Sequence, residues 1–148
     1  MIINTLKYSI LSTEELKKIT AYWAIGNRLE DLLDSSLHPQ NGKFVFHMVN
    51  PKDLISNVDF QEVNTTSLFT GNNNNDTRIS MILNLWESKK SIDPPSICYS
   101  EYNKNIVFYD GRHRTKLSYF LDIKIIPVAI YKEDVEQIKS LLTSYSTT

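Results

Sequence analysis

A single cysteine, Cys98, stands in a chain of 148 residues. No disulfide can form within the chain, and a reducing, cytoplasmic compartment is the expectation. Neither sign of charge predominates. Sixteen basic and seventeen acidic residues leave a net charge of −1, which excludes a chain-wide nucleic-acid footprint and leaves room only for a local basic patch. No apolar run approaches the ~20 residues that cross a bilayer, and the start MIINTLKYSI has neither the basic nor the long apolar region of a signal peptide. A membrane partner is therefore not expected. Several catalytic signatures are also missing: the phosphate-cradling Walker A loop, GxGxxG, HExxH and paired Cys/His spacings for zinc. His38 and His47 lie far apart without ligand-spaced partners. Cys98, inside an apolar stretch, reads as a small buried hydrophobe, and Trp23 and Trp86 read as packing residues.

What is present describes an ordinary globular domain. Hydrophobic residues make up 41% and charged residues 22%, and a chain of this length buries about 68–70% of its unfolded surface without a staple. The pattern predicts a short strand over Asn4–Ile10 and an amphipathic helix over 14–36, started by Ser12 or Thr13, on a stripe of Leu16, Ile19, Trp23, Leu29, Leu33 and Leu37. His38–Gly42 is a turn and Phe44–Val49 a strand. Asn50 caps a helical turn that Pro51 opens and that runs through Ile55. Residues 56–75 are the least regular and end in Asn72–Asn75, read as a loop. Asp76 then caps a helix bearing Ile79, Ile82, Leu83 and Trp86 on one face, stopped by Asp93-Pro94-Pro95. Strands come next at Ile97–Tyr102 and Ile106–Tyr109, then a helix at Thr115–Leu121, a strand at Ile125–Tyr131 and a helix at Val135–Leu142. Alternating elements of this kind predict a single-domain α/β (α+β) fold with a small mixed sheet flanked by helices. Residues 1–43 form an N-terminal strand and helical extension, 44–131 the core, and 132–148 a C-terminal helix.

Only four glycines occur in the chain, and one opens the most unusual stretch, Asp110-Gly111-Arg112-His113-Arg114-Thr115. Several chemical requirements of an anion site coincide there. A strand-to-helix junction exposes unpaired N–H groups, and the helix dipole favours negative charge. Gly111 permits a sharp turn or close approach of a ligand. Arg112 and Arg114 can each offer a bidentate fork to phosphate oxygens. His113 can donate a hydrogen bond or move a proton near neutral pH, and Asp110 can orient an arginine, polarise a nucleophile or hold a hydrated Mg²⁺. Taken as isolated residues, the same letters also describe a helix cap flanked by solvated arginines.

The wider order of elements resembles the ParB/sulfiredoxin superfamily over roughly residues 44–131. Gly111-Arg112-His113-Arg114 stands where ParB amino-terminal domains carry a G-E-R-R-type motif, Ile126-Pro127-Val128 where they carry an I-P-V strand, and Val49–Ile55 where they carry an N-P segment. Asp110–Arg114 is also similar to the sulfiredoxin G-G-C-H-R motif, and closer still to the D-G-Q-H-R motif of proteins linked to DNA phosphorothioation. The resemblance implies that Gly111, Arg112, His113, Arg114 and Thr115 cradle the phosphates of a nucleotide such as ATP or CTP, with Mg²⁺ as an accompanying ion. Asp110 and His113 are the implied catalytic residues. The departures narrow the chemistry. Arg112 replaces the sulfiredoxin cysteine, which excludes sulfinic-acid repair, and it also replaces the ParB glutamate. The chain ends about twenty residues beyond the I-P-V strand, without the ParB helix-turn-helix.

Two classes of function are compatible with these features. One is a nucleotide-binding enzyme that hydrolyses or transfers phosphoryl groups or cleaves nucleic acid. The other is a non-catalytic interaction protein of a phage or plasmid, blocking a host or defence protein through the long N-terminal helix and the Asn-rich loop.

Overall fold

Short, largely apolar segments between turn residues build the sheet, as the sequence predicts. The structure, a computed structural model, describes residues 5–142 together with the backbone of 145–146. Its strands are β1 (Phe44–Val49), β2 (Ser96–Ser100), β3 (Asn105–Asp110), β4 (Ile126–Tyr131) and the two-residue β5 (Tyr145–Ser146), in the order β3-β2-β4-β1-β5. β2 and β3 form an antiparallel hairpin, β2 runs parallel to β4, and β1 runs antiparallel to both β4 and β5. The fold is thus mixed α/β, with a small mixed sheet flanked by helices. β5 has no counterpart in the predicted C-terminal helix. Residues 143, 144, 147 and 148 of that segment, like Asn4 of the predicted N-terminal strand, lie outside the described residues.

Register decides which side chains face which layer. Val49 opposite Ile126 and His47 opposite Val128 share one face, and Phe44 opposite Tyr131 and Phe46 opposite Ala129 share the other. On the first face Val49, Ile97, Ile106, Ile126, Val128 and Ile130 meet Leu54, Phe60 and Ile138. Each fully buried aliphatic there stabilises the fold by about 1.5–3 kcal/mol. The second face is smaller: Phe44 and Ala129 pack against Leu37, with Leu32, Phe46 and Tyr131 at the margin. The Phe44 ring meets Tyr109 and Tyr131 edge-on, with centroids 5.7 and 5.9 Å away.

The helices are α1 (Leu6–Ser9), α2 (Thr13–Leu16), α3 (Pro51–Asn57), α4 (Asn73–Glu87), α5 (Arg112–Phe120) and α6 (Val135–Leu141). A second core lies between them. Ile79, Ile82, Leu83 and Trp86 of α4, the face the sequence predicts, pack with Tyr8, Leu16, Ile92, Leu117 and Leu121. Among the described residues no helix is long and apolar enough to cross a membrane.

The N-terminal third departs from expectation. The segment forms α1, Leu6–Ser9, rather than a strand, because one buried residue anchors it: the Tyr8 hydroxyl donates to Glu87 at 2.8 Å, while Leu6 and Ile10 stay exposed. The predicted 14–36 helix stops after α2. Beyond it the Ala24 N–H donates to the Ile92 carbonyl and the Ile92 N–H to Tyr22, so tertiary pairing holds the chain extended at Trp23. Gly26 then takes a positive φ of 58° and leads into a 3₁₀ turn, Gly26–Asp31. Leu33, assigned to the apolar stripe, is 90% exposed.

Other boundaries also differ: β2 ends at Ser100, two residues before the predicted Tyr102, and α3 runs on to Asn57. The asparagine tract is no loop: Asn72 caps α4 by accepting from the Asn75 N–H, and Asn73–Asn75 form its first turn. Asp76 therefore lies inside α4 and is not its cap. The helix ends at Glu87, six residues before Asp93, whose carboxylate instead accepts from the Leu33 and Asp34 N–H groups at 2.9 Å. α5 begins at Arg112, three residues before the predicted start.

Candidate functional site at the start of helix α5

The site begins as a defect in the hairpin. Ser96 pairs with Asp110 but Ile97 pairs with Phe108, so Tyr109 is an extra residue on β3. Such a bulge bends a strand and re-aims the chain beyond it. The chain then passes through Gly111, at φ +105° and ψ +19°. A Cβ built there would fall 2.6 Å from Pro95 Cα, so the position demands glycine on two independent grounds, backbone conformation and space.

α5 starts at the next residue, and no side chain caps it. The first-turn N–H groups of Arg112, His113 and Arg114 are the orphan donors of a helix start, at the positive end of its dipole. Four side chains surround them. Asp110, exposed, accepts from the Gly111 N–H at 2.9 Å and from the Arg114 guanidinium at 3.1 Å. Arg112 reaches the loop after α3, donating to Gln61 at 2.7 Å and Glu62 at 3.3 Å. Thr115 is buried and its hydroxyl donates to the Gly111 carbonyl at 2.9 Å. That hydroxyl braces the turn instead of presenting itself at the helix start. Both arginine pairs are solvated on the carboxylate side, where such contacts are worth little. A stronger anion can therefore draw the guanidinium groups away.

His113 is held neutral. Burial, then the charges of Arg78, Lys116 and Arg112, push its imidazole down to about 4, with Glu62 opposing. At pH 7 it is a neutral donor–acceptor and not a cation.

Directly behind it lies Lys116, fully buried, whose ammonium donates to Asn75 Oδ1 at 2.7 Å. Burial pushes this lysine down to about 8 against the opposing pull of Asp76. Asn75 in turn donates to the Leu68 carbonyl and to Asp76. Burial pushes the Asp76 carboxyl up, but the Thr70 and Gly71 N–H groups and the Asn75 amide outweigh it and hold it below the usual carboxylate range.

The structure thus brings Asp110 through Thr115 together at one helix start, as the sequence predicts, and adds residues the sequence did not single out: Gln61, Glu62, Asn75, Arg78 and Lys116. No local signal points to Lys116: Thr115, Lys116, Leu117 and Ser118 are consecutive and all buried, so the middle turn of α5 is enclosed only once the helices pack.

The remaining candidates play other parts. His38 caps a 3₁₀ turn, accepting from the Gln40 N–H. His47 sits in β1, with burial and then Lys139 pushing its imidazole down. Cys98 lies half-buried on β2, where burial pushes its thiol up, away from nucleophilic use. Among the described residues no group of three or more His, Cys, Asp and Glu side chains could hold a metal ion. Comparison with protein-family models, curated proteins and solved structures finds no match to the chain.

Proposed function

We propose that this chain binds a phosphorylated ligand, a nucleoside triphosphate such as ATP or CTP, at the start of α5. The observation that carries this reading is the uncapped first turn of α5, entered through a bulge and a glycine that no other residue can replace. Backbone N–H groups at such a junction are oriented for an anion before it arrives, so little reorganisation opposes binding. Arg112 and Arg114 supply the forks, and neutral His113 supplies one further donor. Where Mg²⁺ accompanies the phosphates, Asp110 is the motif's own carboxylate for it; one carboxylate plus phosphate oxygens is a usual Mg²⁺ environment. The order strand, helix, helix, hairpin, motif, helix, strand also agrees with the ParB/sulfiredoxin-like reading of the sequence.

The proposed chemistry is electrostatic: guanidinium and amide groups facing charge that develops on a phosphoryl group, each donor worth ~10²–10³-fold in rate where turnover occurs. The alternative, a blocking protein, drew on a long N-terminal helix and an Asn-rich loop; that segment instead holds the short α2 and a 3₁₀ turn, and Asn73–Asn75 open α4.

Calorimetric titration of ATP and of CTP with Mg²⁺ into wild type and Arg114→Ala tests the proposal, with phosphate release measured in the same samples. Saturable binding weakened at least tenfold in the variant is expected. Phosphate release would then separate an enzyme from a binder. The absence of any saturable binding to wild type would overturn the reading.

A further inference from the structure

We propose that a cleft between α2 and the C-terminal end of α4 binds a free amino acid with a large apolar side chain. The cleft holds about 350 Å³, at the lower end of the range for small-ligand sites. Its apolar lining is Leu11, Ile19, Tyr22 and Trp86. One wall is fixed before any ligand arrives. Trp86 is 1% exposed, and its Nε1–H donates to the Tyr22 carbonyl at 2.9 Å. The Arg28 guanidinium lies 4.4 Å from the centre of the Tyr22 ring and donates to the Lys89 carbonyl at 3.1 Å and the Ser91 hydroxyl at 3.0 Å. Tyr22, Trp86 and the backbone of Lys89 thus form one braced surface, and preorganisation of this kind lowers the ordering cost of binding.

The rim carries both signs of charge in equal number. The ammonium groups of Lys18 and Lys89 have no hydrogen-bond or ion-pair partner among the described residues. Glu15 and Glu87 are each held through Oε1 alone, Glu15 by Ser12 and Glu87 by Lys7 and Tyr8, which leaves Oε2 of both uncommitted. A simple anion would meet two carboxylates and the negative end of the α4 dipole, and a simple cation would meet two ammonium groups. A ligand that carries a carboxylate and an ammonium together, with an apolar body, matches both signs.

The backbone of Lys89 adds an independent observation. Its φ is +62°, just past the end of α4. Its N–H donates to the Trp86 carbonyl at 2.9 Å, and the Lys90 N–H reaches back to the Leu85 carbonyl at 2.8 Å. This is the Schellman ending, in which glycine usually takes the left-handed position at no steric cost. Lys90 already supplies a cation to this helix end, so the fold alone favours glycine at 89. A lysine kept there at the expense of strain, with its side chain lining the cleft, points to a role in holding a ligand.

The test titrates L-leucine and L-phenylalanine calorimetrically into the full chain, each beside its analogue without the amino group and its analogue without the carboxylate. At least one amino acid should bind saturably, about tenfold or more tighter than either of its single-charge analogues. Lys89→Gly should weaken that binding by about tenfold or more while raising the urea midpoint of unfolding, because it removes the backbone strain. Lys89→Asn, which also tolerates the left-handed conformation, should lose affinity to the same degree. Lys43→Gln removes a cation at the start of β1 and should bind within about twofold of wild type. The inference is overturned by the absence of saturable binding of both amino acids, by analogues that bind as well as the zwitterion, or by Lys89→Gly binding as wild type does. An equal loss in Lys43→Gln would mean diffuse attraction and overturns it too. None of these results touches the α5 proposal, because the two sites share no residue.

Discussion

The two helix starts that meet at the Lys116–Asn75 bond are built in opposite ways. At α4 the chain supplies its own cap: Asn72 accepts from the Asn75 N–H, Asp76 accepts from Thr70 and Gly71, and the Thr70 hydroxyl accepts from the Asn72 N–H. At α5 the preceding residue is a glycine without a side chain, no cap forms, and no acidic residue lies in the first turn. A helix start closed by its own chain does structural service. One that is left open, surrounded by arginines, holds unspent hydrogen-bonding capacity next to positive charge. The difference marks α5 as the end that can accept something from outside.

Substitutions at the two starts should separate these roles. The largest effect is expected at Gly111→Ala, where backbone strain and the overlap with Pro95 act together. A loss of about 3 kcal/mol or more, read from urea unfolding, is the expectation; a loss under about 1 kcal/mol would show that the junction is not closely packed. Next comes Asn75→Ala, which leaves the buried Lys116 ammonium without its hydrogen bond. It should cost about 2–3 kcal/mol, and Lys116→Met in the same chain should restore part of that, a coupling that a double-mutant cycle measures. Additivity of the two would argue that the bond holds nothing together.

Acid titration sharpens the comparison from the α5 side. His113 binds a proton in the unfolded chain near its ordinary value of 6.5 but in the fold only near 4. As pH falls through that window the unfolded state takes up the proton first. Stability is therefore fully present above about pH 6.5 and is lost progressively toward pH 4. The wild type should lose roughly 2 kcal/mol more than His113→Gln across this range. Parallel curves for the two would contradict a half-buried neutral imidazole. The smallest effect belongs to the closed end: Asn72→Ala should cost about 1 kcal/mol and leave ATP affinity unchanged, and a changed affinity would tie the α4 cap to the site.

The sheet and the 110–115 motif were readable because their signals are local. Phe44–Val49, the hairpin around Asn103–Asn105 and Ile126–Tyr131 alternate or run apolar between turn residues, and these patterns survive folding. The N-terminal region was not readable, because its leucines recur at three to six residues instead of a strict three and four. The competing signal, Thr20, Tyr22 and Trp23, favours extended backbone, and its pairing partner Ile92 lies about 70 residues away in sequence, beyond any local pattern. The asparagine tract misled for a different reason. Asparagine suits loops and helix caps equally, and only the burial of Asn75 against Lys116 distinguishes them. Within the site, position was legible and partnership was not. Gln61, Arg78 and Lys116 look like ordinary surface residues until the helices are packed.

The place of β1 between β4 and β5 has a consequence for synthesis. Both of its neighbours, β4 and β5, come from the last quarter of the chain. Its partners emerge ~80 residues after Phe44–Val49, several seconds or more at ~5–20 residues per second. Throughout that interval the apolar segment FVFHMV is made but unpaired, a short stretch of high β-propensity and low charge. Slowing initiation, so that fewer nascent chains present this segment to one another at once, should therefore raise the soluble yield of the protein more than strengthening any contact in the finished fold.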